Sequence, residues 1–403
     1  MNQKKSITRR DFVKSALAGL GGYMILSDEK LNQPSTELPK KTKVVTRTLG
    51  KTGIKLPVVN MGVMNSDNPA LVKAALDAGI KLLDTAGAYQ RGNNEKMVGS
   101  VIKNYPRDSY VIATKVLDRS RDRSTGTFTR EATTAGFIQK FEESLSRLGL
   151  EYVDILYVHD VVTRSMVLYE PFMKALDQLK KEGKIHFAGV TTHWGEPEVI
   201  KAAIESKFYD VVLTSYNFKQ GHINAVREAV AEAAKSGIGI IGMKTLAGGY
   251  LDERKTRPVD PQAAIKFVLN DEHVTTVIPG FTTFDQMTLD LSVMEDLEFT
   301  EKDRKALELG YNSPGGVFCQ SCGVCIKQCP KHLPIPEIMR AHMYAYAYKN
   351  FWEAKDLFAA LQVDSAMCQD CSECMVKCVQ GFDVKKKFSE IATLQALPDQ
   401  FLV

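Results

Sequence analysis

The sequence predicts an α/β protein, a (β/α)8 TIM barrel followed by a small, mostly helical domain that carries every cysteine. Three observations predict it. Short β-branched runs alternate with amphipathic helical stretches through eight cycles between Val58 and Met294. No Gly-rich dinucleotide fingerprint follows the first run. All eight cysteines lie between Cys319 and Cys378, and none in the first 318 residues. Strict strand–helix alternation argues a parallel sheet, and eight cycles argue a closed one. A doubly wound open sheet is the structural alternative, and the missing fingerprint counts against it.

The 403 residues are 44% hydrophobic and 25% charged, a globular composition that excludes a mostly disordered or collagen-like chain. The net charge of +4, from 52 Lys and Arg against 48 Asp and Glu, is too even to argue for nucleic acid.

Residues 1–43 read as an address and a tether. Lys4 and Lys5 lead into Thr8-Arg9-Arg10-Asp11-Phe12-Val13-Lys14, and Ser15 to Leu26 carry no charge. A basic start before a short apolar run has the shape of a signal peptide. The paired arginines with Phe12 and Lys14 resemble the twin-arginine export signal. The run falls short of the ~20 apolar residues needed to span a bilayer. The expectation is export by the twin-arginine machinery to the periplasm, or anchoring to the membrane by an uncleaved N-terminus. Ala16-Leu17-Ala18 sits inside the apolar run and leaves cleavage open. Ser27 to Lys43, polar and carrying Pro34 and Pro39, reads as the tether.

Residues 44–300 form the expected barrel. Its strands are Val58–Val63, Lys81–Asp84, Tyr110–Lys115, Val153–His159, Phe187–Thr191, Asp210–Ser215, Gly239–Met243 and Thr275–Ile278. They are apolar nearly throughout, as expected of strands buried on both faces. Between them, stretches such as Ala135–Leu148 carry helical stripes; Phe137, Phe141, Leu145 and Leu148 recur at spacings of four, four and three.

Catalysts of such a barrel gather at the C-terminal ends of its strands. There the second strand runs into Asp84-Thr85-Ala86-Gly87-Ala88-Tyr89, the third ends on Lys115 and the fourth on His159. One Asp or Lys at a strand end is ordinarily a solvated or ion-paired residue, and one His a satisfied core group. Four such residues on three successive strands point to chemistry.

On these residues, with the lead-in Arg47-Thr48-Leu49-Gly50-Lys51-Thr52-Gly53, the chain resembles the aldo-keto reductases over roughly residues 45–300. The resemblance implies a nicotinamide-dependent oxidoreductase acting on a small carbonyl or alcohol substrate. Tyr89 would be the general acid, Lys115 the ammonium that lowers its pKa, Asp84 the partner of Lys115, and His159 the residue that orients the carbonyl or assists the proton's path. It further implies nucleotide contacts at Thr191, Thr192 and His193 after the fifth strand, Met243, Lys244 and Thr245 after the seventh, and Gly280, Thr282 and Gln286 after the eighth. Gln286 stands where NADPH-preferring members often place an Arg, so NADP and NAD both stay open.

Residues 301–403 carry Cys319-x2-Cys322-x2-Cys325-x3-Cys329-Pro330 and Cys368-x2-Cys371-x2-Cys374-x3-Cys378. Disulfides and zinc are the other readings of clustered cysteines. The doubled run matches the bacterial ligand pattern for two [4Fe–4S] clusters, in which the fourth Cys of each run serves the other cluster. The intervening gap reads helical and looks like a helical dicluster ferredoxin. The expected protein is an exported oxidoreductase that passes electrons to a redox partner protein. The alternative is an electron-transfer protein whose barrel is a docking or sensing domain.

Overall fold

Eight short parallel strands pair in chain order: β1 Met61–Gly62, β2 Leu82–Asp84, β3 Val111–Val116, β4 Val153–Val158, β5 Ile185–Thr192, β6 Val211–Ser215, β7 Gly239–Met243 and β8 Thr276–Val277. A parallel bridge from Val59 to Val277 joins the first edge to the last, so the sheet closes into the (β/α)8 barrel. The computed structural model describes residues 44–122, 126–252, 254–312, 317–364, 366–369, 371 and 374–401. The export signal and tether read from residues 1–43 lie outside them.

Alternation along the strands divides the core. Ile155, Tyr157, Val211 and Leu213 fill the barrel interior, while Leu156, Val158 and Val212 face the helices. β1 is shorter than the apolar run suggests because Asn60 takes over part of the ladder. Its amide donates to Pro57 O and Thr276 Oγ1, and its Oδ1 accepts from the backbone of Lys81 and Leu82.

Helices α1 Pro69–Asp77, α2 Asn93–Ile102, α3 Thr134–Leu148, α4 Glu170–Lys181, α5 Glu196–Ser206, α6 Ile223–Lys235, α7 Pro261–Leu269 and α8 Phe284–Ser292 ring the barrel. On α3 the inward stripe is Phe137, Phe141, Leu145 and Leu148, whereas α8 leaves Phe284 and Leu289 exposed. The lead-in segment forms a hairpin of Thr46–Thr48 against Lys55–Pro57, which plugs the N-terminal end with Leu49 and Leu56. Gly50 is required there. Its φ is +50°, and a Cβ would stand 2.4 Å from Gly237 O.

Beyond the barrel come α9 Glu301–Asn312, α10 Ile335–Tyr346, α11 Phe351–Ala360 and α12 Val384–Ala392. Ile335 through Ala345 are all buried, so α10 is covered on every side. It packs against α11 and α12 on one side and meets the barrel's C-terminal face on the other. Further ties to that face are Arg91 with Asp356 at 2.9 Å, Lys255 Nζ to Tyr346 O at 2.6 Å, and Asn350 with Asn65 at 3.1 Å. Among the described residues no helix is long and apolar enough to cross a membrane.

Candidate active site

Asp84 ends β2 and Lys115 lies near the end of β3, so the parallel register points both into the same rim. Lys115 Nζ bonds Asp84 Oδ1 and donates to Thr85 O at 2.6 Å. The two side chains are only 1% and 3% exposed. Burial raises the Asp84 carboxyl and lowers the Lys115 ammonium, and the pair opposes both shifts. Tyr89 opens a tight turn in which Gln90 and Arg91 take positive φ of 49° and 54°.

Lys115 meets Tyr89 through the ring, with Nζ 4.7 Å from its centroid. Burial, then Asp84, holds the phenol far above its ordinary value; the cation that opposes them is Arg340, from α10. His159 follows β4 and sets its ring edge-on to Tyr89, with centroids 5.9 Å apart. Burial, reinforced by Lys115, drops its pKa to about 3, so the imidazole is neutral. The structure thus brings all four sequence-predicted residues together.

The expected nucleotide contacts divide. His193 lines the same cavity as Tyr89 and His159, its ring 6.1 Å from that of His159. Thr191 Oγ1 accepts from the backbone of Asp160 at 2.9 Å, and Thr192 Oγ1 donates to Trp194 O at 2.7 Å. Met243 and Thr245 are buried at the end of β7. Lys244 takes a φ of +57°, and burial followed by Arg340 lowers its pKa to about 7. Gly280, Thr282 and Gln286 are exposed, with Gln286 Oε1 accepting from Thr282 N at 2.8 Å.

Buried polar atoms at the ends of β4 to β7 have no hydrogen-bond partner among the described residues: His159 Nδ1, His193 Nδ1, Trp194 Nε1, Ser215 Oγ and Thr245 Oγ1. An unmet buried polar atom costs about 1–3 kcal/mol, so this row is suited to a polar ligand. The cavity beside it measures about 30 Å³, the room of one or two waters. Arg340, Tyr344, Glu353, Leu357, Ala360 and Leu361 of the C-terminal helices roof it. Sequence reasoning missed this roof, and with it Asp160, Arg119 and Arg121 on the barrel side. The available signal was Arg340, a lone charge inside the apolar run Ile338-Met339-Arg340-Ala341.

The eight thiols are free. Burial raises the Cys319 thiol, and its thiol neighbours are Cys325, Cys322 and Cys378. Cys368 likewise has Cys374, Cys329 and Cys371 as neighbours. Cys329, Cys368, Cys371 and Cys374 line one cavity of about 230 Å³ with Met367, Met375 and Phe388. The fourth cysteine of each run therefore stands with the other run. Among the described residues no group of three or more His, Cys, Asp or Glu is close enough to hold a single metal ion.

The model of the Aldo/keto reductase family matches residues 59–263. L-galactose dehydrogenase of Arabidopsis thaliana is 28% identical over 307 residues, covering 66% of this chain and 93% of its own length. D-threo-aldose 1-dehydrogenase of Pseudomonas sp is 25% identical over 233 residues, covering 51% of this chain and 70% of its own. A solved aldo-keto reductase from Bacillus halodurans, in its holo form, superposes with a TM-score of 0.53 at 20% identity, over 67% of this chain and 97% of that one.

Proposed function

Since the chain belongs to the aldo/keto reductase family, we propose that it is an NAD(P)-dependent oxidoreductase that reduces small carbonyl compounds or oxidises the matching alcohols. The cysteines of the C-terminal segment would hold two [4Fe–4S] clusters, which would supply one-electron exchange with a redox partner. The observation that carries the reading is the meeting of Tyr89, His159 and the unpartnered polar row at one rim. Amide and hydroxyl groups of a nicotinamide ribotide suit those atoms, and when bound it supplies or accepts the hydride. The chain's own work is protonic. Tyr89 gives its phenolic proton to the carbonyl oxygen, neutral His159 orients that oxygen, and Lys115, held by Asp84, keeps positive charge under the ring.

Cys319, Cys322, Cys325 and Cys378 would hold one cluster, and Cys329, Cys368, Cys371 and Cys374 the other. Four thiols around one cavity fit such a group, whose cube spreads its ligands wider than a single ion does. Steady-state rates with both nicotinamides over a panel of aldehydes and sugars test the barrel. Iron analysis and electron paramagnetic resonance during titration with NAD(P)H test the clusters. Absence of iron from anaerobically purified protein removes the cluster half of the proposal.

A second reading, with the barrel as a docking or sensing domain, has one observation in its favour: the helical roof leaves only about 30 Å³ beside Tyr89. Full activity of Tyr89→Phe as an electron carrier, with no carbonyl turned over by either protein, would support it. Export by the twin-arginine route is proposed from residues 1–43. Cell fractionation of an Arg9→Lys, Arg10→Lys chain checks it, with cytoplasmic retention as the expected result.

A further inference from the structure

The rim carries more positive charge than the proposed chemistry uses. Arg119 and Arg121, from the segment after β3, and Arg340, from α10, all line the cavity beside Tyr89 and His159. Two acids stand among them. Asp160 is already engaged, accepting from both terminal nitrogens of Arg340 at 2.6 and 2.8 Å and from Arg121 at 3.1 Å. Glu353 forms no ion pair among the described residues. Burial, then Asp356, pushes its carboxyl up to about 7, so near neutral pH it is only partly charged.

Arg119 forms no ion pair among the described residues, although Glu353 and Asp356 lie near enough to act on its charge; its Nη1 donates to the backbone carbonyl of Asp356 at 2.9 Å. Arg340 is 4% exposed, and its Nε is buried without a partner among the described residues. The imidazoles of His159 and His193 are neutral, so the positive charge of the rim comes from the arginines and not from them. A guanidinium fork matches a carboxylate in shape, and buried donors left unmet favour an anion over a neutral ligand. The enclosed space is about 30 Å³, too small for a whole oxo acid, so such a ligand would extend toward the exposed Arg119, where the cavity opens to solvent.

We propose that the site takes a compact oxo acid or its hydroxy acid, with the carbonyl at Tyr89 and His159 and the carboxylate among Arg119, Arg121 and Arg340. The placing of the carbonyl rests on the proposed reductase reading; the anion site does not.

The test is calorimetric titration of the full chain with oxalate, a dicarboxylate that the enzyme cannot reduce, and separately with inorganic phosphate. Oxalate should bind more tightly than phosphate. Arg119→Ala should weaken it by roughly tenfold or more, the loss of one charge-assisted hydrogen bond. Glu353→Gln should tighten it several-fold by removing a competing negative charge. Opposite signs from two neighbouring variants are not what general damage to the site produces. Arg340 is left intact, because its removal strands Asp160.

In turnover, pyruvate should exceed its methyl ester in kcat/KM, and Arg119→Ala should erase that preference. The proposal is overturned if oxalate does not bind, if phosphate binds more tightly, or if both variants shift affinity the same way. Binding of oxalate without turnover of any carbonyl compound sinks the reductase reading alone. Turnover of neutral aldehydes without oxalate binding sinks the substrate class alone.

Discussion

Arg340 and Asp160, 180 positions apart, close a two-pronged ion pair at the barrel rim, Nη1 to Oδ1 at 2.6 Å and Nη2 to Oδ2 at 2.8 Å. Both side chains are buried. Asp160 directly follows His159, adopts a φ of +61°, and donates its backbone N–H to Thr191 Oγ1. The C-terminal helices therefore hold the residue next to a candidate catalytic imidazole in a conformation that few side chains adopt. Removing one partner of a buried pair leaves the other charge stranded. Arg340→Ala or Asp160→Ala should each cost about 3–5 kcal/mol in denaturant unfolding, and the double variant less than the sum. Strictly additive losses would show that the pair is not coupled.

Tyr89→Phe removes the proposed proton donor and leaves the ring that packs on Lys115 and His159. Turnover should fall by about 10²–10⁴ with the melting temperature nearly unchanged. Unaltered rates on every accepted substrate would remove Tyr89 from the chemistry.

Asp290, on α8, is 3% exposed, and burial pushes its carboxyl up to about 7. The folded-state pKa lies above the unfolded value near 3.9. The folded state therefore binds more protons between the two, and stability is lost as pH rises from about 4 to about 7, then levels off. Asp290→Asn should raise stability at pH 8, by at most about 4 kcal/mol, and change it little at pH 4. Equal effects at both pH values would contradict a buried, protonated carboxyl.

If the cysteine quartets hold clusters, Cys371→Ser should lower bound iron by about half and spare the signal of the set that includes Cys319. Chelation of all iron should loosen the separate core of Ile338, Phe358 and Phe388, read as faster hydrogen exchange across residues 317–364, while the barrel strands stay protected. Wild-type exchange after complete iron removal would make the metal irrelevant to that core.

Much of this protein was written locally. Eight apolar runs and their helical stripes predicted the barrel because strand and helix each impose a period on buried positions, and a closed parallel sheet leaves few other arrangements. Asp84, Tyr89, Lys115 and His159 were legible because a residue at a strand's C-terminal end faces the rim wherever the rest of the chain goes. The nucleotide positions were less so, since Thr191 and Thr192 spend their hydroxyls on the backbone.

What only the tertiary structure decided is who faces whom across the rim. No local pattern announces that Arg340 will find Asp160, that Lys115 will sit on the face of the Tyr89 ring, or that α10 and α11 will roof the cavity. A charge in an apolar helix must be neutralised when buried, but its partner is chosen by packing between segments far apart in sequence. The residues that could catalyse are thus set by position along the strands, and the space and field in which they would act are set by a separate piece of chain folded over them.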